Sequence, residues 1–437
     1  MNDTIYALAT APGRAALAVM RVSGPGSTRV LESLTRRPMP RVRSLQVRRL
    51  LDDSGTILDE ALVAWFRGPA SFTGEDIVEL HLHGGVAVVN GVAGALEAAG
   101  CRAALPGEFT RRAFENGRLS LAEAEGVADL IDAETTQQRR QALDQLGGAL
   151  DDRFAHWRQS LIGVLALLEA AIDFPDEDLP TDVTSGALRV LEALDQDLAA
   201  AFGSERGVQV REGFKVALAG PPNAGKSSLF NSLINRDAAI VTPVAGTTRD
   251  VIEADLILGG YLVRIADTAG LRETDDLVEI EGIRRAQDWA AGAGLRLWLA
   301  DATLHVEQRP PSGPEDWWVF THADLADHGL LPIGQPYCFA VDARHRGSLA
   351  DLIGALSEHV VAVLSGGDFP AVTRQRHREI LSDARAAVRR AIEGFGRDPE
   401  LVGEDVRLAA RSLERLTGRI GSEDVLDEVF RSFCIGK

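Results

Sequence analysis

Lysine is nearly missing from this chain: there are three, Lys215, Lys226 and Lys437, against forty-three arginines. Surface cations have gone to arginine, so a lysine that remains marks a place where a compact ammonium is needed and a guanidinium fork does not fit. Cysteine is as scarce. Cys101, Cys338 and Cys434 lie far apart without metal-ligand spacing, which excludes a disulfide framework and points to a reducing cytoplasm. No apolar run reaches the ~18 residues that span a bilayer. The nearest, Leu161 to Ile172, contains Glu169 and stops at Asp173, so it predicts a buried helix and no membrane contact. The start of the chain lacks a basic segment followed by an apolar one, so no secretory signal is expected. Positive charge is in deficit too. A net charge of −18 argues against a nucleic-acid binder that works by bulk charge.

The deficit is uneven. Residues 1–120 carry fourteen arginines against twelve acids. Arg36, Arg37, Arg41, Arg43, Arg48 and Arg49 crowd into one short stretch, which reads either as a solvated face or as a phosphate-contacting patch. At 437 residues with 45% hydrophobic content the chain is too long for one compact core, and two or three domains are expected.

The first 117 residues read as α/β: Ala16 to Val22 and Ile77 to Leu82 as strands, Val86 to Ala99 as a helix stopped by Gly100. From Ser120 the pattern is helical. Leu121, Ala124, Val127, Leu130 and Ile131 form one stripe, and Arg139 to Ile172 continues as a long amphipathic helix. The acidic stretch from Asp173 to Asp182 breaks it, and a further helix is expected over Ser185 to Phe202. Residues 212–363 alternate strand and helix, as a parallel sheet with crossover helices requires. After Gly366-Gly367 helices return, Arg374 to Phe395 and Val406 to Leu416. The fold class is therefore multidomain α/β plus α. An α/β domain covers 1–117, and two helical stretches, 118–211 and 364–437, form one bundle. A Ras-like P-loop domain, 212–363, is inserted between them.

The chemistry is concentrated in that insertion. Gly220 to Ser228 reads G-P-P-N-A-G-K-S-S after the apolar run Val216 to Ala219 and before a helix, Ser228 to Ile234. This is a phosphate-binding P-loop in its proper setting. Backbone N–H groups of Asn223, Ala224, Gly225 and Ser228 face phosphate oxygens, Lys226 reaches the β- and γ-phosphates, and the Ser227 hydroxyl is offered to Mg²⁺. Asp267-Thr268-Ala269-Gly270 follows the strand Tyr261 to Ala266, with Gly246-Thr247-Thr248-Arg249-Asp250 between, in G-protein order. Asp267 should hold Mg²⁺ through water, Gly270 should meet the γ-phosphate, and Thr248 is the switch threonine that completes the Mg²⁺ shell. Leu271 stands where Ras-type enzymes orient water with glutamine, so another group must act. Glu279 is one candidate, otherwise a solvated helix start. Asn223 is another, through a monovalent cation held on its amide oxygen. Thr321-His322-Ala323-Asp324 is a degenerate form of the base-reading segment N-K-x-D: Asp324 still accepts from guanine, while Thr321 replaces the asparagine and His322 replaces the lysine and can stack on the base. Asp342-Ala343-Arg344 is the equally degenerate later segment.

With these residues in view the chain resembles the MnmE (TrmE) family of tRNA-modification GTPases. The resemblance rests on Asp3-Thr4-Ile5, Pro12-Gly13-Arg14, Arg21-Val22-Ser23-Gly24, Ser71 to Asp76, His83-Gly84-Gly85, Pro106 to Thr110 with Arg112-Ala113-Phe114, and the closing Cys434-Ile435-Gly436-Lys437. It implies a tetrahydrofolate-binding N-terminal domain that forms a homodimer, a helical domain and an inserted G domain. It also implies a cytoplasmic heterotetramer with the flavoprotein MnmG, acting at the C5 position of the wobble uridine of certain tRNAs. The one-carbon unit would come from a 5-formyl or methylene tetrahydrofolate. Further implications are K⁺ activation through Asn223, Thr242, Val244 and Thr247, and Glu279 as the catalytic glutamate. Folate contacts fall on Arg21, Glu79, Arg118 and Lys437, and Cys434 is a candidate for the modification chemistry. The rival readings are a ribosome-assembly GTPase switch without folate chemistry, and a one-carbon transferase with a regulatory G domain.

Overall fold

A computed structural model describes residues 3–173, 181–203, 205–234, 252–267, 289–303, 313–325, 336–342, 347, 349–366, 372–396, 399–416, 423–431, 433 and 436. The chain forms two compact units. One comprises Met1–Ala128, Gln145–Asp195 and Ile380–Lys437, the other Asp129–Asp144 and Gln196–Glu379.

The first unit holds a six-stranded sheet: β1 (Ile5–Leu8), β2 (Leu17–Ser23), β3 (Gln46–Leu51), β4 (Ile57–Phe66), β5 (Ile77–His83) and β6 (Arg102–Ala103), in the order β3-β4-β5-β2-β1-β6. Side chains alternate across a strand, so register decides which rows share a face. Antiparallel pairing sets Ala18 opposite Leu82, Met20 opposite Leu80 and Val22 opposite Val78. These rows are buried beneath Val30, Leu31 and Leu34 of α1 (Ser27–Thr35) and Val92 and Leu96 of α2 (Val86–Ala98). The same register puts Arg21 opposite Glu79 on the other face. There Leu17 lies opposite His83, Leu62 opposite His81 and Val47 opposite Leu62, and Leu17, Leu62 and Val47 are 50%, 40% and 61% exposed. The strands β1, β3, β4 and β6 go beyond the two strands expected for this segment.

Helices α3 (Glu108–Glu115), α4 (Leu121–Ile131), α5 (Thr136–Leu146), α6 (Ala149–Asp173), α7 (Thr181–Gly203) and α8 (Arg206–Glu212) follow. The expected helix from Arg139 to Ile172 is two helices. Gly148 takes φ +83, a left-handed backbone that ends α5 in a turn closed by its N–H on the Gln145 carbonyl. In the first unit α6 packs along α12 (Pro399–Leu416), with Arg158 bonded to Glu414 and Arg407 to Glu169. The preceding helix is α11 (Gln375–Gly394). The last helix, α13 (Glu423–Arg431), lies on α3: Arg111 pairs with Asp427, and Phe114 meets Phe430 at 6.2 Å between ring centres. Among the described residues no helix is long and apolar enough to cross a membrane.

The second unit is built on β7 (Phe214–Ala219), β8 (Ile252–Leu258), β9 (Tyr261–Asp267), β10 (Leu295–Asp301), β11 (Asp316–Thr321) and β12 (Cys338–Ala340), ordered β12-β11-β10-β7-β9-β8. The sheet is mixed where a parallel one was expected. β8 runs antiparallel to β9 because Gly259 and Gly260, both at positive φ, make a tight hairpin turn. The other pairs are parallel. Val216, Leu218, Val263, Ile265, Leu297 and Val319 form the core with Leu229 and Leu233 of α9 (Lys226–Ile234) and Leu352, Leu356 and Val360 of α10 (Ala350–Leu364).

In this unit one carboxylate gathers two chain segments. Asp129 Oδ1 accepts from Arg211 Nε at 3.1 Å and Arg374 Nη2 at 2.7 Å, and Arg211 Nη1 donates to the Thr373 carbonyl at 3.2 Å. Gln138 and Gln141 on α5 donate to the carbonyls of Arg211 and Gly207.

Candidate functional site

The P-loop leaves β7 at Gly220, whose φ of +133 only glycine adopts freely and where a Cβ would overlap the Leu299 carbonyl of β10. It turns at Asn223, φ +60, and closes at Gly225 against Thr321. Asn223, Ser227 and Ser228 are exposed and Ala224 is buried. Lys226 is 5% exposed, and its ammonium donates to the carbonyls of Gly220 at 2.7 Å and Pro221 at 2.6 Å. Burial lowers its pKa, and the Asp267 carboxylate opposes that shift. Asp267, the last residue of β9, accepts from the Ser227 hydroxyl at 2.8 Å. A hydroxyl and a carboxylate at this separation suit Mg²⁺, which prefers hard oxygen donors and few protein ligands.

Sequence reasoning missed what holds the base-reading segment to this loop. Thr321 is buried at the end of β11, and its hydroxyl donates to the Ala224 carbonyl at 2.9 Å. Where G proteins carry the asparagine of N-K-x-D, Thr321 still straps the two segments together. A hydroxyl ending an apolar strand was the available signal. His322, at φ +54, sets Nδ1 3.1 Å from Asp301 Oδ2. Burial alone would push Asp301 up; hydrogen bonds from Thr303 and His322 hold its carboxyl below the ordinary range. Asp324 lies exposed in the short helix Ala323–Leu325. Asp342 is buried after β12. Thr242, Val244, Thr247, Thr248, Thr268, Ala269, Gly270, Leu271, Glu279, Ala343 and Arg344 lie outside the described residues.

In the first unit Arg21, Glu79 and Arg118 line one cavity of about 440 Å³, with Phe66, Phe72 and Ile77 as apolar walls. Arg21 grips Glu79 Oε1 through Nε at 3.1 Å and Nη2 at 2.9 Å, and its guanidinium lies 5.7 Å from the Phe72 ring centre. Glu79 Oε2 is 3.5 Å from His81 Nε2. Lys437 and Cys434 lie outside the described residues, but Gly436 between them packs against Leu8 and Ala9, at the end of the strand beside β2. The cavity adds Arg43, which sequence reasoning had left in an undivided arginine cluster. That cluster disperses. Arg48 is buried and donates to the Pro38 carbonyl, Arg49 faces Glu60, Arg36 reaches the Asp53 carbonyl, and Arg43 turns to the cavity.

The motifs around the cavity brace it. Arg112 is 1% exposed and bonds Asp3, Glu75 and Glu108. Ser23 bonds both Thr73 and Glu75. Burial pushes the Cys101 thiol up to about 11, so it is inert at neutral pH. A larger cavity, about 750 Å³, lies in the second unit between the α4–α5 loop, α8 and Leu262 near the start of β9, the strand end opposite Asp267.

Residues 4–118 match the family described as GTP-binding protein TrmE N-terminus, and residues 121–434 match the MnmE helical domain. The chain is 54% identical to the tRNA modification GTPase MnmE of Caulobacter vibrioides and 53% identical to that of Phenylobacterium zucineum, each alignment covering 100% of both chains. Among solved structures, the G domain of the T. maritima FeoB iron transporter is similar at 25% identity and a TM-score of 0.24, covering 34% of this chain and 98% of that one.

Proposed function

The chain belongs to the MnmE family, whose curated members are tRNA modification GTPases, and from that premise we propose that it couples potassium-activated GTP hydrolysis to modification at C5 of the wobble uridine of certain tRNAs. It is a GTP-hydrolysing enzyme of tRNA modification. Its proposed partners are a second copy of itself and the flavoprotein MnmG, in the cytoplasm. Its proposed segments are a folate and dimer domain over 1–117, helical segments over 118–211 and 364–437, and the G domain over 212–363.

The observation that carries the hydrolytic reading is the meeting of Lys226, Ser227 and Asp267 at the mouth of the P-loop. Nucleotide binding exchanges the Gly220 and Pro221 carbonyls on the Lys226 ammonium for β- and γ-phosphate oxygens, so that anionic acceptors replace neutral ones. Ser227 would ligate Mg²⁺ directly, Asp267 would act through water and Thr248 would complete the shell. The ion would supply neutralisation of the charge that develops on the phosphates. Asn223 offers its amide oxygen to K⁺, with Thr242, Val244 and Thr247 adding loop contacts, and Glu279 orients the attacking water. Thr321 keeps Asp324 in step with the loop, so base reading and phosphate gripping are rigidly linked.

The folate reading is supported by Arg21, Glu79 and Arg118 sharing one cavity within the segment matched to TrmE. Glu79 accepts from the N–H groups of the heterocycle, and Arg21 holds that carboxylate in place through two hydrogen bonds. The cofactor supplies the one-carbon unit, and Lys437 and Cys434 belong to the same site. The apolar side chains of Leu17, Val47 and Leu62, exposed on one face of the sheet, support the dimer, since exposed apolar surface marks contact faces. The test is made on the full chain: GTP turnover in KCl against NaCl, and titration with 5-formyltetrahydrofolate. Faster turnover in KCl, and folate binding that is lost in Arg21→Gln, are expected. Equal turnover in both salts rejects the potassium reading, and no folate binding rejects the other.

A further inference from the structure

The cavity between β2, β5 and Arg118 is electrically divided along its depth. The inner end holds one carboxylate, Glu79, already gripped by Arg21, and both are mostly buried. The outer end holds Arg43 and Arg118, both exposed, and among the described residues neither guanidinium has a carboxylate partner. Both are set in place by the backbone. Arg43 takes φ +57, its N–H bonds the Trp65 carbonyl at 2.8 Å, and its Nη2 donates to the Ala70 carbonyl at 2.7 Å. The stem of Arg118 lies over Gly74, whose φ is +81, and its N–H bonds the Ala113 carbonyl at 2.8 Å. Arg41 and Arg67 are exposed as well and carry the same charge along the adjoining backbone.

A ligand that fits has hydrogen-bond donors at one end, a flat apolar middle against Phe66 and Phe72, and more than one negative charge at the other end. We propose that the mouth of this cavity, through Arg43 and Arg118, receives the glutamate end of the folate and favours forms with a γ-linked oligoglutamate tail. This rests on the folate reading above. A monoglutamate brings two carboxylates, and each further γ-linked residue adds one. Arg43 and Arg118 form one positive rim, and each carboxylate beyond the first pair adds to what that rim attracts. The attraction is between exposed charges, so it is modest and salt-dependent.

The experiment titrates the full chain with the mono- and pentaglutamate forms of 5-formyltetrahydrofolate, at low and at physiological salt. The pentaglutamate should bind about tenfold tighter at low salt, a gain equivalent to about 1.4 kcal/mol, and the gain should shrink as salt rises. Arg43→Gln should remove most of the tail's gain while the monoglutamate still binds, and Arg43→Lys should restore much of it. Thermal melting of each variant checks that it is folded. Equal affinities for the two forms in the unaltered protein overturn this inference alone. A gain that persists unchanged in folded Arg43→Gln overturns the assignment to Arg43. Failure of both forms to bind removes the folate reading and this inference with it.

Discussion

Asn223 carries two roles that a single alanine substitution confuses. Its carboxamide is the proposed potassium ligand, and its backbone sits at φ +60, where residues other than glycine are strained. Asparagine tolerates this region because its short polar side chain bonds locally; alanine does not, and the left-handed form costs an ordinary residue roughly 1–2 kcal/mol. Asn223→Ala therefore removes the ligand and also adds about 1 kcal/mol of strain to the loop, or about fivefold in any affinity that depends on its shape. Asn223→Gly removes the ligand and relieves the strain. The assay is GTP turnover in KCl and NaCl at matched ionic strength, beside titration with a fluorescent GDP. Both variants should lose the preference for K⁺, and only the alanine variant should also lose up to about fivefold in GDP affinity. A glycine variant that kept the full preference for K⁺ would refute the role of the carboxamide.

Other outcomes follow from named contacts. Glu279→Ala should leave GDP binding near normal and slow hydrolysis on the order of 10²-fold; unchanged single-turnover rates would assign water orientation to another group. Thr321→Val keeps the shape of the side chain but strands the Ala224 carbonyl, and should weaken GDP by about 1–2 kcal/mol, with Thr321→Ser close to normal. Equal GDP affinity in the valine variant would show that the strap is unnecessary. Asp324→Asn should shift preference toward xanthine nucleotides in a competition assay, and unaltered GTP affinity would mean that the base is read elsewhere. Gly436→Ala places a Cβ on the Leu8 carbonyl, so tRNA modification should collapse while K⁺-stimulated hydrolysis continues; full modification would dismiss the docked tail.

What could be read in advance was what chemistry constrains locally. A P-loop needs glycine, lysine and hydroxyl at fixed offsets between a strand and a helix, so Gly220 to Ser228 was legible. Ala16 to Val22 is a short β-prone run, and so β2 was legible. β3 was not, because Arg48 occupies a buried place where the pattern calls for an apolar residue, and its bonds to the Pro38 carbonyl and the Gln46 side chain explain it. Nor was the strap at Thr321, since its partner is 97 residues away. The arginine cluster misled for the same reason: Arg36, Arg43, Arg48 and Arg49, neighbours in sequence, were sent to separate partners by the tertiary fold. Arg43 could not be singled out from its neighbours until the cavity was in view.

The bonds around Asp129 bear on how this chain carries so large an excursion. The backbone departs after Arg211 and returns at Thr373, and a single arginine side chain spans the gap between those points. For a flexible loop the entropy of closure rises only with the logarithm of its length. Here both ends are bonded to one carboxylate, so on the proposed division of the chain the flanking helices would meet the inserted segment as they would a hairpin. A change in the length of that segment would leave the two ends held together at Asp129. A handful of glycines joining Arg211 to Thr373 would complete the same circuit.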